Sequence, residues 1–274
     1  MLILISPAKT LDYDSPLAVK KFTQPEFMAQ SQELIDQLSR FTPKRVAGLM
    51  NLSDKLAALN VDRYRSWQQP FEPGAARQSI YAFRGDVYIG LDADSLSTRD
   101  LTYAQKHLRI LSGLHGVLRP LDLIQPHRLE MGTALKNRRG KDLYAYWRDT
   151  VTESLNTQLS SAKSLVVNLA SQEYFKAVDR NNIEGRVITP IFKDLKMPAA
   201  DESSSSRTMR RSNNDYKIIS FFAKKARGRM ARYLIDQRVK TISGIKAFTI
   251  DGYQWNEALS DGDELVFTRD AAPS

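Results

Sequence analysis

The chain has 274 residues, 42% hydrophobic and 26% charged, a composition that excludes a disordered protein and can support a substantial core. With a formal net charge of +9 and no cysteine, it favours nucleic acid, phosphorylated metabolites or anionic surfaces as partners, and it excludes disulfides and zinc or iron–sulfur sites built from its own thiolates. No apolar run approaches the roughly 20 residues needed to span a bilayer, and no Pro/Gly/Ser-rich linker divides the chain, so a single cytoplasmic domain over 1–274, with no membrane association, is expected.

The opening run Met1-Leu2-Ile3-Leu4-Ile5 has no basic stretch before it and reads as a buried strand, not a signal peptide. After an irregular stretch over 6–24, helical periodicity sets in over 25–40, 43–50 and 53–67, each opening on a Pro or Ser suited to a first turn. The same style continues over 75–83 and 98–111, with Gly85 and Gly90 between them. A short extended piece is predicted over 128–132 and a helix over about 141–159. Runs of β type lie at 164–170, 186–193, 216–222 and 264–269. Strands interleaved with helices, several continuously apolar, predict an α+β fold with a mixed central sheet covered by helices. The stretch 198–214, with Ser203 to Ser206 in a row and Arg207, Arg210 and Arg211, lacks periodicity and reads as a mobile basic loop.

Positive charge is concentrated near the C-terminus, where 203–240 hold eleven Lys or Arg against two acids. Lys224, Lys225 and Arg227 follow the strand-like run 216–222 and are expected in the first turn of a helix. A helix N-terminus already carries partial positive charge, so cations there call for an anion among them. At about 100° per residue, Ala223, Ala226, Met230 and Leu234 share an apolar arc, and Lys225, Arg229 and Arg232 form a stripe opposite, facing water or a polyanion. Lys224 and Arg227 fall at the margin of that arc, where a long side chain can run along the core and place its charge in a cleft.

The segment 108–122, LRILSGLHGVLRPLD, predicts a helix ending at glycine, a tight turn, and a second short helix from Pro120. Such a turn gathers backbone N–H groups that can hold a phosphate without reading a base. It resembles the helix-hairpin-helix motif of non-specific DNA binders, with the difference that Leu114 and His115 both stand between Gly113 and Gly116 where that motif has one apolar residue. A glycine cap followed by a Pro-started helix explains the same spacing.

Four stretches together, SPAKT from 6, GVLRPLDLIQPHRLEMG over 116–132, NLASQEYF over 168–175 and FFAKKARGRMAR over 221–232, resemble the YaaA family of bacterial peroxide-stress proteins over nearly the whole chain. The resemblance implies a cytoplasmic α+β protein associated with peroxide resistance and with limiting unincorporated iron. It also implies double-stranded DNA bound through a basic cleft and a hairpin motif. Carried onto this sequence, the hairpin is Gly113, Leu114, His115, Gly116 and Arg119, and the basic helix supplies Lys224, Lys225, Arg227, Arg229 and Arg232. Lys9, Arg128, Glu130, Asn168, Ser171 and Tyr174 stand in the other motifs and form a candidate cleft for a small anionic ligand. Lys9 follows a buried strand, at the strand end where ligands gather in such sheets; Arg128 and Glu130 alternate and share a face; Asn168 has a buried, satisfied amide as its plain reading.

The histidines are His107, His115 and His127, with no helical i, i+4 pair, so no metal site and no cofactor is predicted. Two functions remain: non-specific binding of duplex DNA through phosphates, or an enzyme acting on a small anionic or nucleotide-like substrate in the same cleft. An iron-handling partner protein is a third, for which the residues supply no support.

Overall fold

The computed structural model describes residues 1–17, 19–159, 161, 163–195 and 215–270. The predicted basic loop at 198–214 lies outside them. In chain order the strands are β1 (Leu2–Ile5), β2 (Thr10–Leu11), β3 (Arg77–Gln78), β4 (Phe83–Arg84), β5 (Leu108–Ser112), β6 (Gly116–Leu118), β7 (Leu123–Ile124), β8 (Leu165–Asn168), β9 (Arg186–Leu195), β10 (Tyr216–Lys217), β11 (Gln254–Trp255) and β12 (Glu264–Arg269). The helices are α1 (Met28–Leu38), α2 (Pro43–Met50), α3 (Asp54–Arg65), α4 (Ser79–Ala82), α5 (Asp86–Leu91), α6 (Thr98–His107), α7 (Leu143–Asn156), α8 (Gln172–Phe175), α9 (Ser220–Asp236) and α10 (Ile242–Lys246).

The fold is α+β, built on a mixed eight-stranded sheet in the order β11-β12-β9-β8-β1-β5-β6, with β10 pairing β9. From β12 to β5 the neighbours are parallel, and β6, β10 and β11 are antiparallel to theirs. β1 is central, Ile3 lying opposite Leu108 on one side and Val167 on the other. Its residues alternate between two cores: Ile3 and Ile5 pack with α5, α6 and α9, and Leu2 and Leu4 with α1, α3 and α7. Coverage on both faces is why β1, and β8 up to Val167, read as continuous apolar runs without a period of two.

Several predicted elements differ from the structure, among them the helical run over 75–83, which is a strand at 77–78, one helical turn at 79–82 and a strand at 83–84. The helix expected over 98–111 stops at His107, and Leu108 turns extended to open β5. Leu108–Ser112 is buried throughout and pairs β1, so a five-residue run that fits either period goes to the sheet. The strand expected over 216–222 is only Tyr216–Lys217, and α9 begins at Ser220. The predicted extended piece over 128–132 is irregular, and Pro25 to Phe27 precede α1.

Candidate functional site

The sheet places a cleft at the carboxyl ends of β1 and β8. After β1 the chain crosses to β5 on one side, and β8 lies on the other, so the loops following β1 and β8 open a crevice where α/β sheets collect ligands. Ser6 ties the loops together: its Oγ accepts the N–H of Ser171 at 2.9 Å and donates to Ser171 Oγ at 3.3 Å. Tyr88 donates to the carbonyl of Ser6 at 3.2 Å, fixing the β1 loop to α5. The cleft encloses about 480 Å³, lined by Ser6 to Thr10, Arg84 to Tyr88, Glu130, Ser171, Glu173, Tyr174, Lys224 and Arg227.

One helix crossing sets where the last two point. At Gly90 of α5 and Gly228 of α9 the backbones meet so closely that a Cβ on Gly228 would lie 1.9 Å from the carbonyl of Val87. A Cβ on Gly90 would lie 2.2 Å from the carbonyl of Lys225. Glycine at both positions lets α9 lie flat on α5 and carries Lys224 and Arg227 to the cleft wall.

The charges in the cleft divide into engaged and free. Glu130 Oε1 takes both Arg128, at 2.9 Å, and Lys9, at 3.2 Å. Arg84 is held by Asp12 at 3.1 Å and Asp94 at 3.0 Å. Glu173 accepts the N–H of Gly132 at 3.1 Å, pinning the 128–132 loop to α8. Arg227 has neither a carboxylate nor a hydrogen-bond acceptor among the described residues, and burial pulls its pKa down with no neighbouring charge offsetting it. Lys224 beside it is exposed and also without an ion-pair partner among the described residues. Burial, with Glu173 and Glu130 nearby, holds the Tyr174 hydroxyl protonated far above neutrality. Asn168 is buried at the end of β8, and its Oδ1 accepts the N–H of Ala170 at 3.1 Å, a turn-forming role.

Three expectations need correction. Counted from Ser220, Lys224, Lys225 and Arg227 are the fifth, sixth and eighth residues of α9, beyond the first turn, so the helix dipole does not call for an anion there. Arg229 and Arg232 are not a free outer stripe: Arg229 faces Asp251 at 3.6 Å, and Arg232 bonds Asp236 at 2.8 Å, the carbonyl of Asp92 at 2.9 Å and Ser95 Oγ at 2.6 Å. The helix-hairpin-helix reading of 113–119 also fails. These residues form the tight turn of the β5–β6 hairpin, and Gly113, Leu114, His115 and Gly116 are all buried, out of reach of any duplex.

Their glycines serve packing instead. A Cβ on Gly113 would meet the carbonyl of Leu129 at 2.3 Å, and Gly116, at φ 69°, would drive one into Trp147 at 2.6 Å. Trp147 Nε1 donates to the carbonyl of Gly113 at 2.8 Å, closing the turn. Arg119 pairs with Asp122 at 2.9 Å and donates to the carbonyl of Gln24 at 2.8 Å. Two helices joined by a three-residue turn do occur, at α2 and α3. Asn51 adopts φ 51°, Leu52 is the single apolar residue between two small polar ones, and Ser53 caps the N–H of Leu56. Lys44, Arg45 and Lys55 are exposed around it.

Sequence reasoning missed that turn because it searched for glycines, and Asn serves the left-handed position as well. It also missed Arg84, Asp86, Tyr88 and Glu173 in the cleft; Gly85 and Gly90, already visible between the helices, were the available signal.

An α+β protein with a doubly covered sheet and a cleft lined by two cations that have no ion-pair partner among the described residues is the class these features define. A family model described as peroxide stress protein YaaA matches residues 1–259, and the chain belongs to that family. It is 50% identical over 272 residues to a UPF0246 protein of Shewanella oneidensis, covering 99% of this chain and 100% of the relative.

Proposed function

We propose that this peroxide-stress family member binds double-stranded DNA non-specifically, through phosphates, with a backbone phosphate held by Lys224 and Arg227. The supporting observation is Arg227, a half-buried side chain with no acceptor among the described residues, lining a cleft beside a second unpaired cation. Guanidinium groups suit phosphate oxygens because their donors match them two at a time. A cleft of this size admits one sugar–phosphate unit, so the duplex lies across its rim. The α2–α3 turn offers a second phosphate contact, where the start of α3 presents N–H groups beside Lys55. Protection from peroxide then follows from shielding the bound DNA from oxidants that unincorporated iron generates.

A second reading, an enzyme acting on a small anionic or nucleotide-like substrate, is favoured by the convergence of Lys9, Arg128 and Glu130 on the same cleft, more polar groups than phosphate anchoring needs. Duplex titrations of single variants separate the two. Arg227→Met and Lys224→Met each weaken duplex binding several-fold, whereas Arg232→Met, removing a cation already engaged by Asp236, leaves it nearly unchanged. Equal effects at all three positions, or none at Arg227, would reject the cleft as the DNA contact.

A further inference from the structure

At the other end of the sheet from the cleft, where β1, β5 and β8 begin, lies a second cavity of about 240 Å³. Its polar lining is Tyr103, His107, Ser161, Lys163, Ser164 and Lys240, with no carboxylate among the described residues. The acid of this corner, Asp100, is already engaged by Arg238, whose guanidinium also lies 4.2 Å over the Tyr103 ring. Lys163, in the turn before β8, and Lys240, just past α9, are exposed and have neither an ion pair nor a hydrogen bond among the described residues. His107 donates from Nδ1 to the carbonyl of Met1 at 2.9 Å; burial lowers its pKa, and Arg109 and Lys240 push it the same way with no carboxylate opposing them. Tyr103 packs on His107 with ring centroids 4.1 Å apart, and its buried hydroxyl has no hydrogen-bond partner among the described residues. A concave site lined by one sign of charge concentrates the opposite ion.

We propose that this cavity is a second phosphate site, the anion held between Lys163 and Lys240 with Ser161 as a hydroxyl donor. Phosphate suits it better than a monatomic ion, because its several oxygens accept from ammonium and hydroxyl donors at once. The four residues of β1 separate it from the cleft by roughly 13 Å along the strand, so one phosphate cannot serve both. The phosphate comes either from a small phosphorylated molecule or from a nucleic-acid backbone. In the second case the chain carries a backbone contact at each end of its sheet and holds two duplexes together, a consequence that rests on the reading of the cleft as a duplex contact.

The test titrates inorganic phosphate into the full chain, against chloride at matched ionic strength, and follows the backbone amide resonances of Ser164 and Leu165. The expected result is saturable shifts with phosphate and none with chloride. Lys163→Gln/Lys240→Gln, at two exposed positions, weakens that binding several-fold, whereas Lys224→Met/Arg227→Met leaves it unchanged. Shifts that are absent, equal in chloride, or unaltered in Lys163→Gln/Lys240→Gln overturn the proposal. A second arm identifies the source by asking whether bead-bound duplex retains a labelled second duplex through the protein. Retention by the native chain that is lost in Lys163→Gln/Lys240→Gln upholds the site as a backbone contact; amide shifts without retention uphold it as a site for a small phosphorylated molecule. If Lys224→Met/Arg227→Met leaves duplex binding intact while the amide shifts persist, the cleft reading fails and this site stands.

Discussion

Replacing Gly228 by alanine tests the helix crossing on which the cleft depends. The new Cβ would lie 1.9 Å from the carbonyl of Val87 and 2.8 Å from the N–H nitrogen of Leu91, against ordinary contact from 3.4 Å. Both obstacles are backbone, so no side chain can swing aside, and α9 must lift from α5 by about 1.5 Å. Overpacking of this kind costs about 1 to 3 kcal/mol, and a backbone clash sits at the upper end. At roughly 2 to 4 °C per kcal/mol for a protein near this size, Gly228→Ala lowers Tm by about 6 to 12 °C. The same displacement carries Lys224 and Arg227 off the cleft wall, so duplex affinity drops as well. Gly48 in α2 supplies the control: a Cβ there meets nothing within 4 Å, and alanine should add about 0.5 to 1 kcal/mol by helix propensity alone. A Gly228→Ala protein melting within 2 °C of native would show that α5 and α9 are not in backbone contact.

Two further outcomes follow from the site. Glu130→Gln removes the carboxylate shared by Lys9 and Arg128, so both cations become available to an anion and phosphate affinity rises several-fold by titration; a fall in affinity would mean that Glu130 itself contacts the ligand. Burial, and to a lesser degree Arg63, lowers the pKa of His127 to about 4, while burial pushes His115 well below its ordinary range. Between about pH 6.5 and pH 4 the unfolded chain binds more protons than the folded one, so this stability is fully present above 6.5 and is lost as pH falls toward 4. His127 alone accounts for a loss on the order of 3 kcal/mol. Urea denaturation at pH 7, 5.5 and 4.5 reads it, and His127→Phe should flatten the slope; an unchanged slope would place the titration elsewhere.

How much of this was legible in the residues depends on the element. The sheet's continuous apolar runs, the α2 and α3 caps and the buried arc of α9 follow from local pattern, and the structure holds Ala223, Ala226, Met230 and Leu234 in the core. Leu108-Arg109-Ile110-Leu111-Ser112 was not legible, because a short apolar run after a helix suits either period until β1 is available to pair with it. The glycines of 113–116 carried a real constraint whose cause, the Trp147 ring and the Leu129 carbonyl, lies far along the chain. Helical phase correctly set Lys224 and Arg227 at the margin of the buried face, lining the cleft. It could not show that Arg229 and Arg232 meet Asp251, Asp92 and Ser95, since those partners come from other elements. His127 was visible as a residue, but its burial and the bond from its Nδ1 to the carbonyl of Gln125 depend on the fold of that loop.

The central claim, that Lys224 and Arg227 are the phosphate contacts, is tested most directly by the salt dependence of duplex binding. Fluorescence anisotropy of a labelled duplex across a salt series gives log K against log salt, with a slope of about −0.9 for each phosphate neutralised. The account predicts a slope shallower by about 0.9, the share of the one phosphate these two cations hold, for Lys224→Ala/Arg227→Ala than for the native chain. A slope identical to native would contradict it and leave these two cations without a nucleic-acid role.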